Sequence, residues 1–164
     1  MELYEAKCDD IWIVQSLAKQ IWPPTFRDLM SAEQMDYMMN MMYSTDSLEK
    51  QMNQQNHKYL LLKEDDEYLG YLSYEVNYKN KPCTKIHKIY VLPSIQGKGL
   101  GRFLIEKATE IGKENNCEIL SLNVKRDNSA LQFYKKMGFE VAGSEDIDIG
   151  NGYLMQDYIL NKKL

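Results

Sequence analysis

The apolar positions near the start of the chain predict a short strand followed by a helix. The strand is expected at 2–7, and Asp9 or Asp10 can cap the helix that follows it. The apolar residues of this helix recur at helical spacing and are Ile11, Val14, Leu17 and Ile21. Pro23 and Pro24 are expected to end the helix, because proline has no N–H to continue it.

Two further helix starts lie between residues 31 and 49. Ser31 followed by Gln34 is a capping-box pattern for a helix that carries several methionines. Asp46 followed by Glu49 is typical of the start of a third helix. The first third of the chain is therefore expected to be mainly helical.

Strand patterns dominate after residue 57. Runs at 58–64 and 67–78 predict a hairpin that turns at Glu64, Asp65 and Asp66. The later predicted elements are a strand at 84–92 halted by Pro93, a helix at 97–115, a strand at 118–124, a helix at 128–137 stopped by Gly138, and strands at 139–143 and 153–160. Early helices followed by a hairpin-rich sheet favour a three-layer mixed α/β domain.

Length and composition favour one soluble domain over residues 1–164. The chain has 44% hydrophobic and 27% charged residues, and no linker, repeat or low-complexity tract interrupts it. The first ten residues do not resemble a secretory signal. Three cysteines without a CxxC pair make a disulfide framework or a metal site unexpected, and a cytoplasmic location fits.

The negative charge is concentrated in the first third of the chain. Residues 1–56 hold nine acidic and four basic side chains, whereas the whole chain has a net charge of −4. This balance disfavours nucleic acid as a partner and would attract a cation, although a solvated acidic surface gives the same count. Neither nucleic acid nor a membrane is expected as a partner.

Gly97, Gly99 and Gly101 follow a predicted strand and open the predicted helix, where an anion can bind. The first turn of a helix offers backbone N–H groups and partial positive charge, and glycine lets a phosphate approach the backbone. Lys98 and Arg102 can add charge at the rim. The spacing G-x-G-x-G matches neither the Walker loop nor the dinucleotide fingerprint. Glycines alone leave a purely structural turn as an open alternative.

The motif from Gln96 to Gly101, QGKGLG, resembles the Q/R-x-x-G-x-G/A motif of the GCN5-related N-acetyltransferases. The preceding IYVLP and the following LSLNV and NSALQFYKKMGF resemble the other motifs of that family in the same order, and together they cover 85–139. Residues 25–52 resemble, more loosely, bacterial polyamine acetyltransferases. The resemblance implies a mostly antiparallel central sheet of six to seven strands with helices on both faces.

The resemblance also implies acetyl-CoA as co-substrate, without a metal. The residues it assigns to the cofactor are Ile89, Tyr90, Val91, Gln96, Gly97, Lys98, Gly99, Leu100, Gly101, Arg102, Asn128 and Lys136. Asp127 stands where many members of the family have asparagine. The chain therefore departs from the family pattern directly beside Asn128, which weakens the assignment of Asn128 to the cofactor.

Two residues are candidates for proton transfer. Tyr134 falls on the tyrosine of the A-x-x-F-Y pattern and would protonate the departing thiolate, although an aromatic on an amphipathic helix is also a common core residue. His87 could take the proton of the amine, because an imidazole titrates near neutral pH. A purely structural histidine remains the alternative.

The acceptor site is expected around Trp22, Phe26, Asp36 and Tyr37, with Tyr43 nearby and with Glu145, Asp146 and Asp148 as further candidates for its acidic side chains. Aromatic rings beside carboxylates suit a small cationic amine such as a polyamine. Two other functions stay open: acetylation of a protein lysine or N-terminus, and binding of acyl-CoA without catalysis. The methionines could instead form a partner-protein surface, and the resemblance leaves a homodimer open.

Overall fold

The computed structural model describes residues 1–164 and confirms the mixed α/β class, with a mostly antiparallel seven-stranded sheet. The strands are β1 (Glu2–Glu5), β2 (Lys58–Glu64), β3 (Glu67–Glu75), β4 (Cys83–Val91), β5 (Ile119–Lys125), β6 (Glu140–Gly150) and β7 (Tyr153–Lys163). The helices are α1 (Ile11–Phe26), α2 (Ala32–Tyr43), α3 (Thr45–Asn53), α4 (Leu100–Glu114) and α5 (Ala130–Lys136). The strand order is β1-β2-β3-β4-β5-β7-β6, and β4 pairs with β5 in parallel.

The chain divides into two compact units. The first unit contains residues 1–75 and 88–104, and the second contains residues 76–87 and 105–164. The first unit is built from the β1–β2–β3 meander and helices α1 to α3. The apolar face predicted for α1 is buried in this unit. The buried residues of the second unit include Ala108 and Ile111 of α4 and Leu120 and Leu122 of β5. None of the helices is both long and apolar enough to span a membrane.

The prediction that Pro23 and Pro24 end α1 is wrong, because the helix continues to Phe26. The two prolines remove the N–H groups that would bond to the carbonyls of Lys19 and Gln20. Both of those residues are exposed, so water can satisfy their carbonyls. Beyond the prolines the helix resumes, since the Arg27 N–H donates to the Pro23 carbonyl at 3.0 Å.

Helix capping agrees with the sequence at α2 and differs at α3. The Ser31 side chain accepts a hydrogen bond from the Gln34 N–H at 3.1 Å, as the capping pattern predicts. The cap of α3 is Ser44, whose side chain accepts from the Ser47 N–H at 3.2 Å, so Asp46 lies inside the first turn. Serine at the cap and aspartate in the first turn both stabilise a helix start.

The last hairpin is longer than predicted. β6 continues through Glu145 to Gly150, a segment that we expected to lie outside a strand. In this segment Ile147 and Ile149 alternate with exposed acidic residues, which is the period of a strand. The turn at Asn151 and Gly152 has φ of 55° and 80°, the left-handed conformation that two-residue hairpin turns require.

Candidate functional site

The glycine-rich segment forms an exposed turn directly before α4. Gly97 and Gly99 have φ of 81° and 83°, a conformation that glycine adopts without strain. A Cβ atom added at either glycine would meet nothing within 4 Å, so the backbone faces open space. The helix begins at Leu100 and not at Gly97 as predicted, which leaves only Gly101 inside its first turn. The N–H groups of this turn and of the helix start can approach an anion.

The end of β4 leads into this turn and lies close to β3. Ile89, Tyr90 and Val91 are half-buried. Gly70 of β3 faces them, and a Cβ there would overlap the Tyr90 carbonyl oxygen and lie 3.0 Å from the Val91 Cα. Any larger residue at 70 would therefore push β3 away from the backbone segment that the family resemblance assigns to the cofactor.

Aromatic rings from α1, α2 and the sheet form a cluster in the first unit. Trp22 lies 4.5 Å from Phe26 and 5.9 Å from Tyr90, measured between ring centroids. The Trp22 Nε1 donates to the Tyr43 hydroxyl at 3.1 Å, which is 2.6 Å from the Tyr71 hydroxyl. The structure thus brings two of the predicted acceptor residues, Trp22 and Phe26, next to the predicted cofactor residue Tyr90.

The other two predicted acceptor residues lie elsewhere on α2. Asp36 is exposed and makes no hydrogen bond or ion pair, while Tyr37 is half-buried. Met35 and Met38 occupy the buried side of the same helix. These two methionines therefore belong to the core.

Lys88 is a buried lysine that the sequence analysis did not single out. It is 7% exposed, and its Nζ donates to Gln51 Oε1 and to the Tyr59 hydroxyl, both at 2.8 Å. Its ammonium also lies 5.6 Å and 5.4 Å from the ring centroids of Tyr43 and Tyr59. Burial lowers the pKa of Lys88 to about 7. Lys88, Gln51, Tyr59 and Tyr43 are called the Lys88 cluster below.

His57 lies beside the Lys88 cluster, with its Nε2 3.7 Å from Glu75. Burial, and secondarily the nearby Lys88, lower the pKa of His57 to about 4. The imidazole is therefore neutral at pH 7, and its contact with Glu75 is not an ion pair under that condition.

Tyr134, the candidate acid, lies on α5 in the second unit and is buried. Its ring packs against Phe133 and Phe139, with centroids 5.3 Å and 5.9 Å away. Burial raises the pKa of Tyr134 to about 12. The hydroxyl is therefore protonated at neutral pH and can act only as a proton donor in this state.

The remaining predicted residues of the second unit are placed as follows. His87 is half-buried on β4, with its ring centroid 5.7 Å from that of Tyr78. Asn128 lies just before α5, and its Oδ1 accepts a hydrogen bond from the Ala130 N–H at 2.9 Å. Lys136 is exposed in the last turn of α5. Asp127 forms an ion pair with Lys125 at 2.9 Å, so its carboxylate already has a partner.

A second polar group crosses three strands of the second unit, and the sequence analysis did not single out its residues Lys85, Asn123 and Asp157. Lys85 Nζ donates to Asn123 Oδ1 at 2.5 Å, and Asn123 Nδ2 donates to Asp157 Oδ2 at 3.3 Å. Asp157 is 3% exposed, and burial raises its pKa. Lys85, Asn123, Asp157 and Glu145, the register partner of Asp157, are called the Asp157 cluster below.

The alternation of the strands contained a signal for both missed residues. Lys88 shares a strand face with Tyr90, and Asp157 shares one with Met155 and Ile159. A charged residue between apolar neighbours on a strand face is an exception to the local pattern, and such a residue needs polar partners when it is buried.

Comparison with known proteins identifies a family. The family model described as the acetyltransferase (GNAT) family matches residues 17–139, which is more than half of the chain. A spermidine N(1)-acetyltransferase of Thermoplasma acidophilum is 26% identical over 161 residues, covering 95% of this chain and 96% of the relative. A peptidyl-lysine N-acetyltransferase of Salmonella typhimurium is 34% identical over 73 residues, covering 43% and 47% of the two chains.

The solved structures include one of the same overall fold. It is the PaiA N-acetyltransferase from Thermoplasma acidophilum in complex with coenzyme A, with a TM-score of 0.80 and 24% identity over 99% of this chain and 98% of that one. The chain spans only 29% to 51% of the length of several curated relatives that it matches.

Proposed function

Because the chain belongs to the acetyltransferase (GNAT) family, we propose that it transfers an acetyl group from acetyl-CoA directly to a primary amine. The observation that carries the proposal is the glycine-rich turn before α4, whose left-handed Gly97 and Gly99 expose backbone to open space. A pyrophosphate is an anion of suitable size for such a turn. The coenzyme A named for the PaiA structure supports acetyl-CoA as the co-substrate.

The proposed reaction forms a bond between the amine nitrogen and the acetyl carbon and breaks the bond between that carbon and sulfur. The Val91 N–H donates to the carbonyl oxygen as negative charge develops on it. Tyr134 donates a proton to the departing sulfur and is reprotonated from solvent, which also takes up the proton that the amine gives to His87. His87 accepts the amine proton, and Ile89, Tyr90, Gln96 to Arg102, Asn128 and Lys136 hold the cofactor.

A small cationic amine such as a polyamine is the proposed acceptor. The Thermoplasma relative, named as a spermidine acetyltransferase, matches nearly the whole length of this chain. Trp22 and Phe26 are buried and pack on each other, so the support for a polyamine comes from this relative and not from exposed ring faces. The Salmonella relative supports a second candidate, acetylation of a protein lysine.

Thiol release from acetyl-CoA tests the proposal. Spermidine and spermine are compared with a lysine-ended peptide, an N-terminal peptide and an aminoglycoside. We expect saturable thiol release with the polyamines. Release with a peptide alone would keep the reaction and replace the acceptor, whereas binding of acetyl-CoA without release for any amine would indicate a binding module.

The variant Tyr134→Phe tests the proposed acid. Loss of the phenol should lower kcat by about 100-fold, a typical contribution of general acid catalysis, and leave the Kd for acetyl-CoA unchanged. Tyr68→Phe on β3 is the matched control, since it removes a hydroxyl from a half-buried tyrosine that has no proposed role. Unchanged turnover in Tyr134→Phe would exclude the assigned role.

A further inference from the structure

Two carboxylates in the second unit face each other across β6 and β7. Glu145 and Asp157 are register partners, so their side chains lie on the same face of the sheet with Cβ atoms about 5 Å apart. Like charges at directly opposite positions repel each other. Such a pair is stable only when a cation or a proton compensates the second negative charge.

Asp157 lacks the hydrogen bonds that a buried carboxylate needs. It is 97% buried by its relative exposure of 3%, and its Oδ1 is shielded from solvent without any hydrogen-bond partner. Its Oδ2 accepts only the long 3.3 Å bond from Asn123. An unpartnered charged oxygen inside a protein is costly, which distinguishes Asp157 from an ordinary structural carboxylate.

The basic residues nearby do not bond to this carboxylate pair. Lys125 pairs with Asp127, and Arg126 bonds to Asp146 and to the backbone carbonyls of Glu145 and Asp157. Lys85 is close enough to attract the carboxylates of Glu145 and Asp157 electrostatically, but the hydrogen bond of its Nζ goes to Asn123. Lys85 and the two carboxylates together carry one net negative charge when all three are ionised.

We propose that Glu145 and Asp157 bind a primary ammonium group of the acceptor. One ammonium neutralises the excess charge of the cluster, and its three N–H groups can serve Asp157 Oδ1 and Glu145 together. Glu145 is half-buried, so the pair is reachable from its side. This inference rests on the proposed function, because the ammonium belongs to the amine that is acetylated or to a second cationic group of the same molecule.

A divalent metal ion fits the same residues less well. Mg²⁺ and Ca²⁺ take six or more oxygen ligands, whereas the cluster offers two carboxylates and an amide oxygen already bonded to Lys85. The neighbouring Lys85 ammonium also repels a doubly charged ion. A monovalent ammonium matches both the charge and the number of available acceptors.

Calorimetric titration of butylamine, putrescine and spermidine into the full chain without acetyl-CoA tests the inference. We expect Asp157→Asn and Glu145→Gln each to raise the Kd for these amines by about 10-fold or more, the worth of one charged hydrogen bond. Glu140→Gln is the matched control for Glu145→Gln, since it removes the same charge from an exposed position of the same strand, β6. It should change the Kd less than 2-fold, a difference of about 0.4 kcal/mol.

Three outcomes would overturn the inference: no amine binds the wild type, both variants bind amines as tightly as the wild type, or Mg²⁺ or Ca²⁺ binds in a manner that depends on Asp157. A separate titration of the wild type with acetyl-CoA distinguishes the two proposals. Failure to bind acetyl-CoA would contradict the proposed function and not the ammonium site. If Asp157→Asn does not fold, Glu145→Gln at the half-buried position gives the deciding comparison.

Discussion

Lys88 and Asp157 are both buried ionisable residues, but the two clusters satisfy them differently. The Lys88 Nζ has two short hydrogen bonds, to Gln51 and Tyr59, and two aromatic rings within 6 Å. Asp157 has one long hydrogen bond and an oxygen with no partner. In the Lys88 cluster, neutral groups surround a lysine whose pKa burial lowers to about 7, so about half of the lysines are charged at pH 7.

The difference indicates different roles for the two clusters. A satisfied buried network holds the elements that contribute to it, here α2, α3, β2 and β4. An unsatisfied buried carboxylate costs stability, and such a cost is typical of binding sites that a ligand completes. We therefore expect substitutions at Lys88 to affect stability most, and those at Asp157 to affect ligand binding.

The largest predicted difference is between Lys88→Ala and Asp157→Ala. Lys88→Ala removes two hydrogen bonds and leaves a cavity, so the free energy of unfolding at pH 9 should fall by about 2–4 kcal/mol. Asp157→Ala removes an unsatisfied carboxylate and should cost less than about 1 kcal/mol. Urea denaturation measures both, and Lys88→Met is the control that keeps most of the volume. Equal costs for the two alanine variants would contradict the contrast between the clusters.

The sequence predicts the elements of this fold well because their signals are local. The helical spacing of Ile11, Val14, Leu17 and Ile21 and the capping serine at 31 depend only on neighbouring residues. The course of α1 through Pro23 was not predictable in the same way. It depends on the exposure of the carbonyls that the prolines leave unbonded, which is a property of the folded chain.

The sites were predictable only in part for the same reason. The glycine spacing and the order of the motifs are local features of the sequence, and they indicate the family and the cofactor turn. The Lys88 cluster joins residues 43, 51, 59 and 88, which are far apart in the sequence. Local spacing cannot show which helix residue will contact a given strand residue. Asp157 lies between the apolar Met155 and Ile159 on its strand face, which is a local signal, but its unpartnered oxygen depends on the folded chain.

The pH dependence of stability gives the next largest effect. The pKa of Lys88 is about 7 in the folded chain and close to 10.5 in the unfolded chain, so between these values only the unfolded state binds the proton. Stability should therefore rise as the pH increases from 7 to 9, by about 2 kcal/mol. Lys88→Met should lose this rise. An unchanged slope in that variant would show that another group causes it.

Tyr59→Phe tests the hydrogen bonds of the Lys88 cluster separately from its charge. The hydroxyl accepts from Lys88 at 2.8 Å and donates to Gln51 Oε1 at 2.5 Å, so its removal affects both partners. We expect a loss of about 1–2 kcal/mol in the free energy of unfolding. Tyr68→Phe, at a half-buried position on β3, should stay within about 0.5 kcal/mol of the wild type. Matching losses in the two variants would remove the special role of the Tyr59 hydroxyl.

Asp157→Asn gives the smallest change in stability and the sharpest contrast with Lys88. Burial and Glu145 raise the pKa of Asp157, so above its folded pKa the ionised carboxylate makes the folded state less stable. Asparagine keeps the shape and removes the charge, and we expect stability at pH 7 to stay equal or to rise by up to about 1 kcal/mol. The gain should vanish at pH 3, where the wild-type carboxyl is also protonated. A clear loss of stability at pH 7 would mean that the carboxylate is satisfied in the folded chain, and the cation-binding role of the Asp157 cluster would lose its physical basis.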